Sequence, residues 1–176
     1  MRFGNSLYCV LLGTAGSLMN RDFRDLLAEF NAHGVEYLIV GAHALAAHGH
    51  IRATKDLDVW IRAEAANAGR VISALKAFGA PLLDLTEDDL AQPGLIFQIG
   101  VPPVRIDLVT SIDGVTFSEA WPARVQTAFA DQPVAVLSRQ HLIRNSARNV
   151  PRSGTRRSCG FRSSDRTGRE RLGSPA

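Results

Sequence analysis

Residues 35–61 read VEYLIVGAHALAAHGHIRATKDLDVWI, and the order of patterns in this stretch decides the fold. Residues 35–40 are mostly aliphatic, β-branched or aromatic, which predicts a short strand that ends at Gly41. Residues 42–48 are mostly strong helix formers and stop at a glycine, so they predict a short helix. Residues 57–61 place an acid between apolar residues, as a strand does. We therefore expect a strand, a tight turn, a short helix and a second strand.

Helical and strand patterns alternate on both sides of this stretch. Upstream, apolar residues recur at i, i+3, i+4 and i+7 over residues 22–32, which predicts a helix. Downstream, the patterns predict helices at residues 64–78, from Thr86 and at 117–129, and strands at 95–99, 104–109 and 134–137. This order predicts an α/β or α+β fold, with a mixed β-sheet flanked by helices.

The composition excludes several classes of protein. The chain has 176 residues, of which 45% are hydrophobic and 21% are charged, as in a single globular domain. Its two cysteines, Cys9 and Cys159, are too few for a disulfide-stapled scaffold or a four-cysteine zinc site. No apolar run reaches the roughly 18 residues of a membrane span. We therefore expect a cytoplasmic protein without a membrane partner.

The two ends differ from the body of the chain. Residues 1–18 faintly resemble a signal peptide, but an over-extended start with Met19 as the true first residue is favoured. Residues 145–176 hold eight arginines against two acids, a local charge of +6, whereas residues 1–144 carry −3. With few apolar residues, 145–176 is expected to be disordered. The domain is expected to span residues 19–144.

Three interpretations of residues 145–176 stay open. The apolar pattern that begins a helix at residues 142–144 stops at Asn145, and arginine, serine, glycine and proline replace it. A shifted reading frame in a GC-rich gene gives such a change, and the ratio of 18 arginines to two lysines indicates such a gene. A natural disordered tail and a basic arm for nucleic acid are the alternatives.

Three aspartates are the candidate catalytic and metal-binding residues. Asp56 and Asp58 lie two apart on a predicted strand, so both side chains face one side, with Cβ atoms about 6 to 7 Å apart. Their repulsion costs stability unless a cation lies between them. Asp107 lies in the apolar run VRIDLV. If the two strands are neighbours, three carboxylates converge, as in a two-metal phosphoryl-transfer site.

Ordinary ion pairs are the alternative explanation of these acids. Asp56 and Asp58 would then face solvent and pair with Arg52, Lys55 or Arg62. Asp107 would pair with Arg105 in that case. Each pairing is common by itself, but three acids on predicted strands make the set less ordinary.

Taken together, these residues resemble the polymerase-beta-like nucleotidyltransferase superfamily. The shared order is a hydrophobic strand that ends at Gly41, thirteen residues after Ala42, the pair Asp56 and Asp58, and Asp107 on a later strand. The stretches AHALAAHGHIRATKDLDVWI and VPPVRIDLVTSIDGVTFSEAW are similar to small stand-alone bacterial members, including those of the antitoxin or abortive-infection type. The resemblance covers residues 22 to about 144.

The resemblance implies a minimal nucleotidyltransferase fold with a metal-dependent site. Asp56 and Asp58 would hold two Mg²⁺ ions that bridge a triphosphate, and Asp107 would complete the site and help to deprotonate the attacking hydroxyl. Gly41 would face the phosphates.

The resemblance also suggests which other residues bind the nucleotide. Arg52, Thr54 and Lys55, just before the acid pair, are candidate phosphate contacts, and a solvated loop is the alternative. Ala42 would lie beside the phosphates, although these members commonly have Gly or Ser at that position.

The function expected from this resemblance is nucleotide transfer. The substrate would be a nucleoside triphosphate such as ATP, the acceptor a hydroxyl of a protein or RNA, and the setting a toxin–antitoxin pair with a toxin partner. No specific DNA binding is expected. A non-catalytic antitoxin-like binding protein and a truncated, inactive gene product are the alternatives, the latter because similar proteins continue past Arg144 with a helical segment.

Overall fold

The helices and strands of residues 35–61 form in the expected order. The computed structural model describes residues 21–101, 104–146 and 155–159. Its elements are α1 (Arg21–Ala32), β1 (Tyr37–Ile39), α2 (Gly41–Ala47), β2 (Asp56–Ile61), α3 (Ala65–Phe78), α4 (Glu87–Leu90), β3 (Leu95–Ile99), β4 (Arg105–Val109), α5 (Phe117–Ala120), β5 (Val125–Phe129), β6 (Gln132–Val136), α6 (Arg139–Ser146) and β7 (Thr155–Cys159). The expectations about residues 1–18 and the true start lie outside the described residues.

The strands form one mixed sheet. Their order is β5-β6-β1-β2-β4-β3-β7 among the described residues. β2 runs parallel to β4 at the centre, and β1 and β3 are antiparallel to their neighbours β2 and β4. This mixed sheet with its helices confirms the α+β class. No helix in the described ranges is long and apolar enough to cross a membrane.

The core forms where helices α1 and α3 pack on the sheet. Helix α1 buries Phe23, Leu26, Leu27 and Phe30, the apolar set at helical spacing. Helix α3 buries a similar stripe and ends at Gly79 in the left-handed conformation. The core strands are apolar on both faces along most of their length, so the few polar residues on β2, β3 and β4 stand out.

The expected helix at residues 117–129 is wrong. Only Phe117–Ala120 is helical, and Val125–Phe129 forms strand β5. The helix starts with a capping box in which Thr116 accepts a hydrogen bond from the backbone of Glu119. Pro122 disfavours continuation of the helix because it lacks an amide hydrogen and clashes with the preceding turn. The following residues instead pair with β6.

Seven of residues 145–176, a segment expected to be disordered, belong to a helix or a strand in the structure. Asn145 and Ser146 continue helix α6, and Thr155–Cys159 pairs with β3 as a parallel edge strand. Main-chain hydrogen bonds to a sheet edge do not require apolar side chains, so composition underestimated this segment. Arg157 adds two contacts to the Asp89 carboxylate, at 2.8 and 3.1 Å. Residues 147–154 and 160–176 lie outside the described residues, and the reading-frame hypothesis stays a prediction.

Candidate functional site

The three candidate acids lie on adjacent parallel strands. In the β2–β4 register, Asp56 is opposite Arg105 and Asp58 is opposite Asp107. Residues paired across neighbouring strands project from the same face, and so do residues two apart on one strand. The fold therefore brings Asp56, Asp58 and Asp107 together on one face, with Arg105 beside them.

Asp107 is held in place by a neighbour on the other side. It is 9% exposed, and Gln98 is opposite it in the β3–β4 register. Gln98 Nε2 donates a hydrogen bond of 2.9 Å to Asp107 Oδ1. A buried carboxylate needs such a donor because desolvation penalises its charge. Gln98 was not among the residues expected at the site, although a glutamine inside the apolar strand LIFQI is a detectable signal.

Asp58 lies against the turn that begins helix α2. A Cβ atom added to Gly41 would overlap Asp58 Oδ2 and lie 3.0 Å from Asp58 Cγ. Gly41 also has φ of +65°, a conformation that residues with side chains rarely adopt. The amide of Val40 donates to the backbone oxygen of Asp58 at 3.0 Å, which fixes the turn to strand β2. Gly41 is thus where the chain leaves room for the Asp58 carboxylate.

Asp56 forms a two-pronged ion pair with Arg105. Arg105 Nη2 lies 2.7 Å from Asp56 Oδ2, and Arg105 Nε lies 3.3 Å from Asp56 Oδ1. The hydrogen bond and charge of Asp56, and then the charges of Asp107 and Asp58, raise the pKa of the Arg105 guanidinium, although burial opposes them. Arg105 therefore interacts electrostatically with all three acids.

The ion pairs in the structure differ from those considered from the sequence. Arg105 hydrogen-bonds to Asp56, whereas the sequence suggested Asp107 as its partner. Arg62 lies 2.6 Å from a Glu36 carboxylate oxygen and 3.2 Å from one of Glu64, so it neutralises acids away from the cluster. The partner choice follows from strand register, which local sequence does not reveal.

The candidate nucleotide-binding residues flank the acids. Ala42 lies in the first turn of α2, next to Gly41. Arg52 and Lys55 are exposed. Thr54 Oγ1 accepts from the Asp56 amide at 3.2 Å and lies 3.1 Å from the Asp56 carbonyl oxygen, so its hydroxyl shapes the entry into β2. Their roles toward phosphate stay predictions.

His43 within α2 and His48 at the end of α2 both contact other parts of the fold. His48 Nε2 lies 2.8 Å from the carbonyl oxygen of Leu137, which ties the helix end to the residue after β6. His43 packs its ring edge-on against Phe23 and Phe129, with centroids 6.1 and 5.0 Å apart. Burial lowers the pKa of His43, which favours the neutral ring.

The acid cluster matches a hard divalent cation in its donor chemistry. Three aspartates supply only oxygen ligands, which Mg²⁺ prefers. Yet no group of three His, Cys, Asp or Glu within the described ranges is placed to hold a metal ion. Asp56 is engaged by Arg105 and Asp107 by Gln98. The acids thus fit the metal in donor chemistry but not in their present placement, in which Arg105 holds Asp56.

The comparisons with known proteins include a likeness to a solved structure. No protein-family model matches the chain, and no curated protein matches it significantly. A solved structure from Thermotoga maritima, described as a "putative nucleotidyltransferase", has 10% sequence identity and a TM-score of 0.49, over 72% of this chain and 81% of that one. Identity and score are both too low to assign this chain to a family.

Proposed function

We propose that the protein is a Mg²⁺-dependent nucleotidyltransferase that moves a nucleotide from a nucleoside triphosphate to a hydroxyl of a protein or RNA acceptor. The observation that carries this proposal is the placement of Asp56, Asp58 and Asp107 on one face of adjacent strands β2 and β4. Such a concentration of acids costs stability, which favours a role in binding cations. A toxin–antitoxin setting, with a toxin as the acceptor, is the context we propose.

Each of the three aspartates would have its own role in nucleotide transfer. Asp56 and Asp58 would hold the metal ions, and Asp107 would complete the ligand set. Bound Mg²⁺ would neutralise charge on the transferred phosphoryl group and align the attacking and leaving oxygens. Asp107 would also accept the proton of the attacking hydroxyl, for which its hydrogen bond to Gln98 supplies the orientation.

The nucleotide would lie across the turn that begins α2. The Asp58 carboxylate lies against Gly41, so a metal ion held by Asp58 would bring its bound phosphate close to this turn. Arg52 and Lys55 are exposed cations on the loop before Asp56, as contacts to a triphosphate require. Ala42 would contact the nucleotide through its backbone, and Thr54 would act by holding the start of β2.

One observation favours a second candidate, a non-catalytic antitoxin-like binding protein. Asp56 is already neutralised by Arg105, and the described residues offer no ready group of three metal ligands. In that case the fold would serve to cover a partner, and the acids would be ordinary ion pairs. The two candidates differ in one measurable property, the transfer of label from a nucleotide.

Replacing Asp58 with asparagine tests the enzymatic proposal. Purified protein, Mg²⁺ and each α-labelled nucleoside triphosphate are incubated with protein and RNA acceptors, and label on the acceptor is measured. Asp58→Asn should abolish labelling because an amide cannot neutralise the metal, and the loss of repulsion should leave the melting temperature equal or higher. Asp113→Asn, an exposed acid in the turn after β4, is the matched control and should label normally.

Equal labelling by wild type and Asp58→Asn would contradict the proposed role of the acids. Absence of labelling with every nucleotide, together with a stable complex between the protein and an acceptor, would favour the binding protein instead.

A further inference from the structure

The three acids differ in how firmly the protein holds them. Asp107 is buried and hydrogen-bonded to Gln98, and Asp58 lies against the Gly41 backbone in the fixed turn before α2. Asp56 is at the first position of β2, and its side chain is 32% exposed. Asp56 is therefore the acid that can change partners at the least structural cost.

The partner of Asp56 is the long, partly exposed side chain of Arg105. Arg105 is 35% exposed and lies at the first position of β4, so its long side chain borders solvent. Its fork contacts both oxygens of Asp56, at 2.7 and 3.3 Å. A guanidinium in this position covers the oxygen lone pairs that a metal ion needs.

Arg105 shares the face of the sheet with all three acids. In the β2–β4 register it lies opposite Asp56, and its two side-chain hydrogen bonds go to the Asp56 carboxylate. A guanidinium on Asp56 reduces the repulsion among clustered carboxylates, which is the same electrostatic task that a bound divalent cation would perform.

We infer that Arg105 is an internal counter-ion which occupies the cation position beside Asp56 and must release it before a divalent cation binds the full set of three acids. This inference rests on the proposed function for the identity of the ion. Without a metal ion, the Arg105 guanidinium neutralises Asp56. Metal binding replaces this guanidinium with the divalent cation. Arg105 is a positioning residue that competes with metal binding.

Metal binding to Arg105→Gln tests the inference directly. Mn²⁺ alone serves as the probe, titrated by calorimetry without nucleotide, and melting temperatures are measured in EDTA and in Mg²⁺. Without the competing cation, Arg105→Gln should bind Mn²⁺ about tenfold more tightly than wild type. It should melt lower in EDTA because the acids repel, and gain more from Mg²⁺ by linkage of binding to stability.

Arg62→Gln is the matched control. Arg62 is also a partly buried arginine at a strand end, but its partners are Glu36 and Glu64. Its loss should lower the melting temperature in EDTA and in Mg²⁺ by the same amount and leave Mn²⁺ affinity unchanged. Arg105→Lys keeps the charge but loses the fork, so it should fall between wild type and Arg105→Gln.

The outcomes separate this inference from the proposed function. If Arg105→Gln and Arg105→Lys bind Mn²⁺ no more tightly than wild type, Arg105 is a permanent structural partner of Asp56 and the inference is wrong. If the affinities rise as expected but wild type transfers no nucleotide, the counter-ion role stands and the proposed enzymatic function fails. Should Arg105→Gln not fold, Arg105→Lys carries the same comparison.

Discussion

Gly41 is required for two reasons, its backbone conformation and the space that the Asp58 carboxylate occupies beside it. Its backbone has φ of +65°, and a Cβ atom there would overlap the Asp58 carboxylate. The first reason is conformational and holds for many turns, whereas the second is specific to the acid cluster. A substitution at Gly41 should therefore strain the turn and displace Asp58 as well.

Comparison of Gly41→Ala with Gly49→Ala separates the two effects. Gly49 has φ of +86° with no atom within 4 Å of an added Cβ, so Gly49→Ala should cost only the backbone strain, about 1 kcal/mol. Gly41→Ala should cost a further ~1–3 kcal/mol from overpacking against Asp58. Urea denaturation measures both, and equal costs would show that Asp58 moves aside freely.

At the scale of elements, the hairpin β5–β6 replaces the second half of an expected helix. Phe129 pairs with Gln132, so the turn between the strands has only two residues, Ala130 and Asp131. Both have positive φ, 49° and 64°, as a type I′ turn requires. Neither residue is the glycine or asparagine that such a turn favours, which is why the sequence did not indicate a hairpin.

Replacing these two residues with Asn and Gly should stabilise the protein. The combined variant Ala130→Asn with Asp131→Gly places residues that adopt positive φ more readily at both positions. We expect the free energy of unfolding to rise by about 0.5–1 kcal/mol. Thermal denaturation measures it. Ala128→Gly on exposed strand β5 is the control and should destabilise by ~0.5–1 kcal/mol, because glycine in a strand loses more entropy. A loss of stability in the turn variant would contradict the turn type.

At the scale of the whole molecule, strand β7 covers an edge of the sheet. Thr155–Cys159 pairs along the whole of β3, and Arg157 bonds to Asp89 and to the backbone oxygen of Asp84. An uncovered β3 would present a row of unpaired backbone groups to other chains. Residues 155–159, which belong to the segment expected to be disordered, are therefore part of the sheet.

Truncation at two positions tests this role. A chain that ends at Ser146 should melt below a chain that ends at Cys159, because it lacks the β7 ladder, and sedimentation should show association that increases with concentration. The two truncated chains differ only in residues 147–159. Identical melting temperatures and a monomeric shorter chain would show that β7 adds nothing to stability or to protection of the sheet edge.

Local patterns were sufficient for most of the elements. Helix α1 follows from four apolar residues at helical spacing, and the start of α4 follows from Thr86, which forms a capping box with Asp89. Both features depend on residues only a few positions apart, so the sequence predicts them without knowledge of the tertiary structure. The helix expected over residues 117–129 was wrong in its second half because the apolar residues there fit the spacing of a strand as well as that of a helix. Pairing with β6 makes residues 125–129 a strand.

The sequence by itself determined that Asp56 and Asp58 share a face, because side chains two apart on a strand project the same way. It could not determine what the acids contact. Arg105 beside Asp56, Gln98 beside Asp107, and Gly41 beneath Asp58 are separated from their partners by 49, 9 and 17 positions. Only the pairing of β2 with β4, of β3 with β4 and of β1 with β2 brings these residues together, since cross-strand contacts depend on which strands pair and in what alignment.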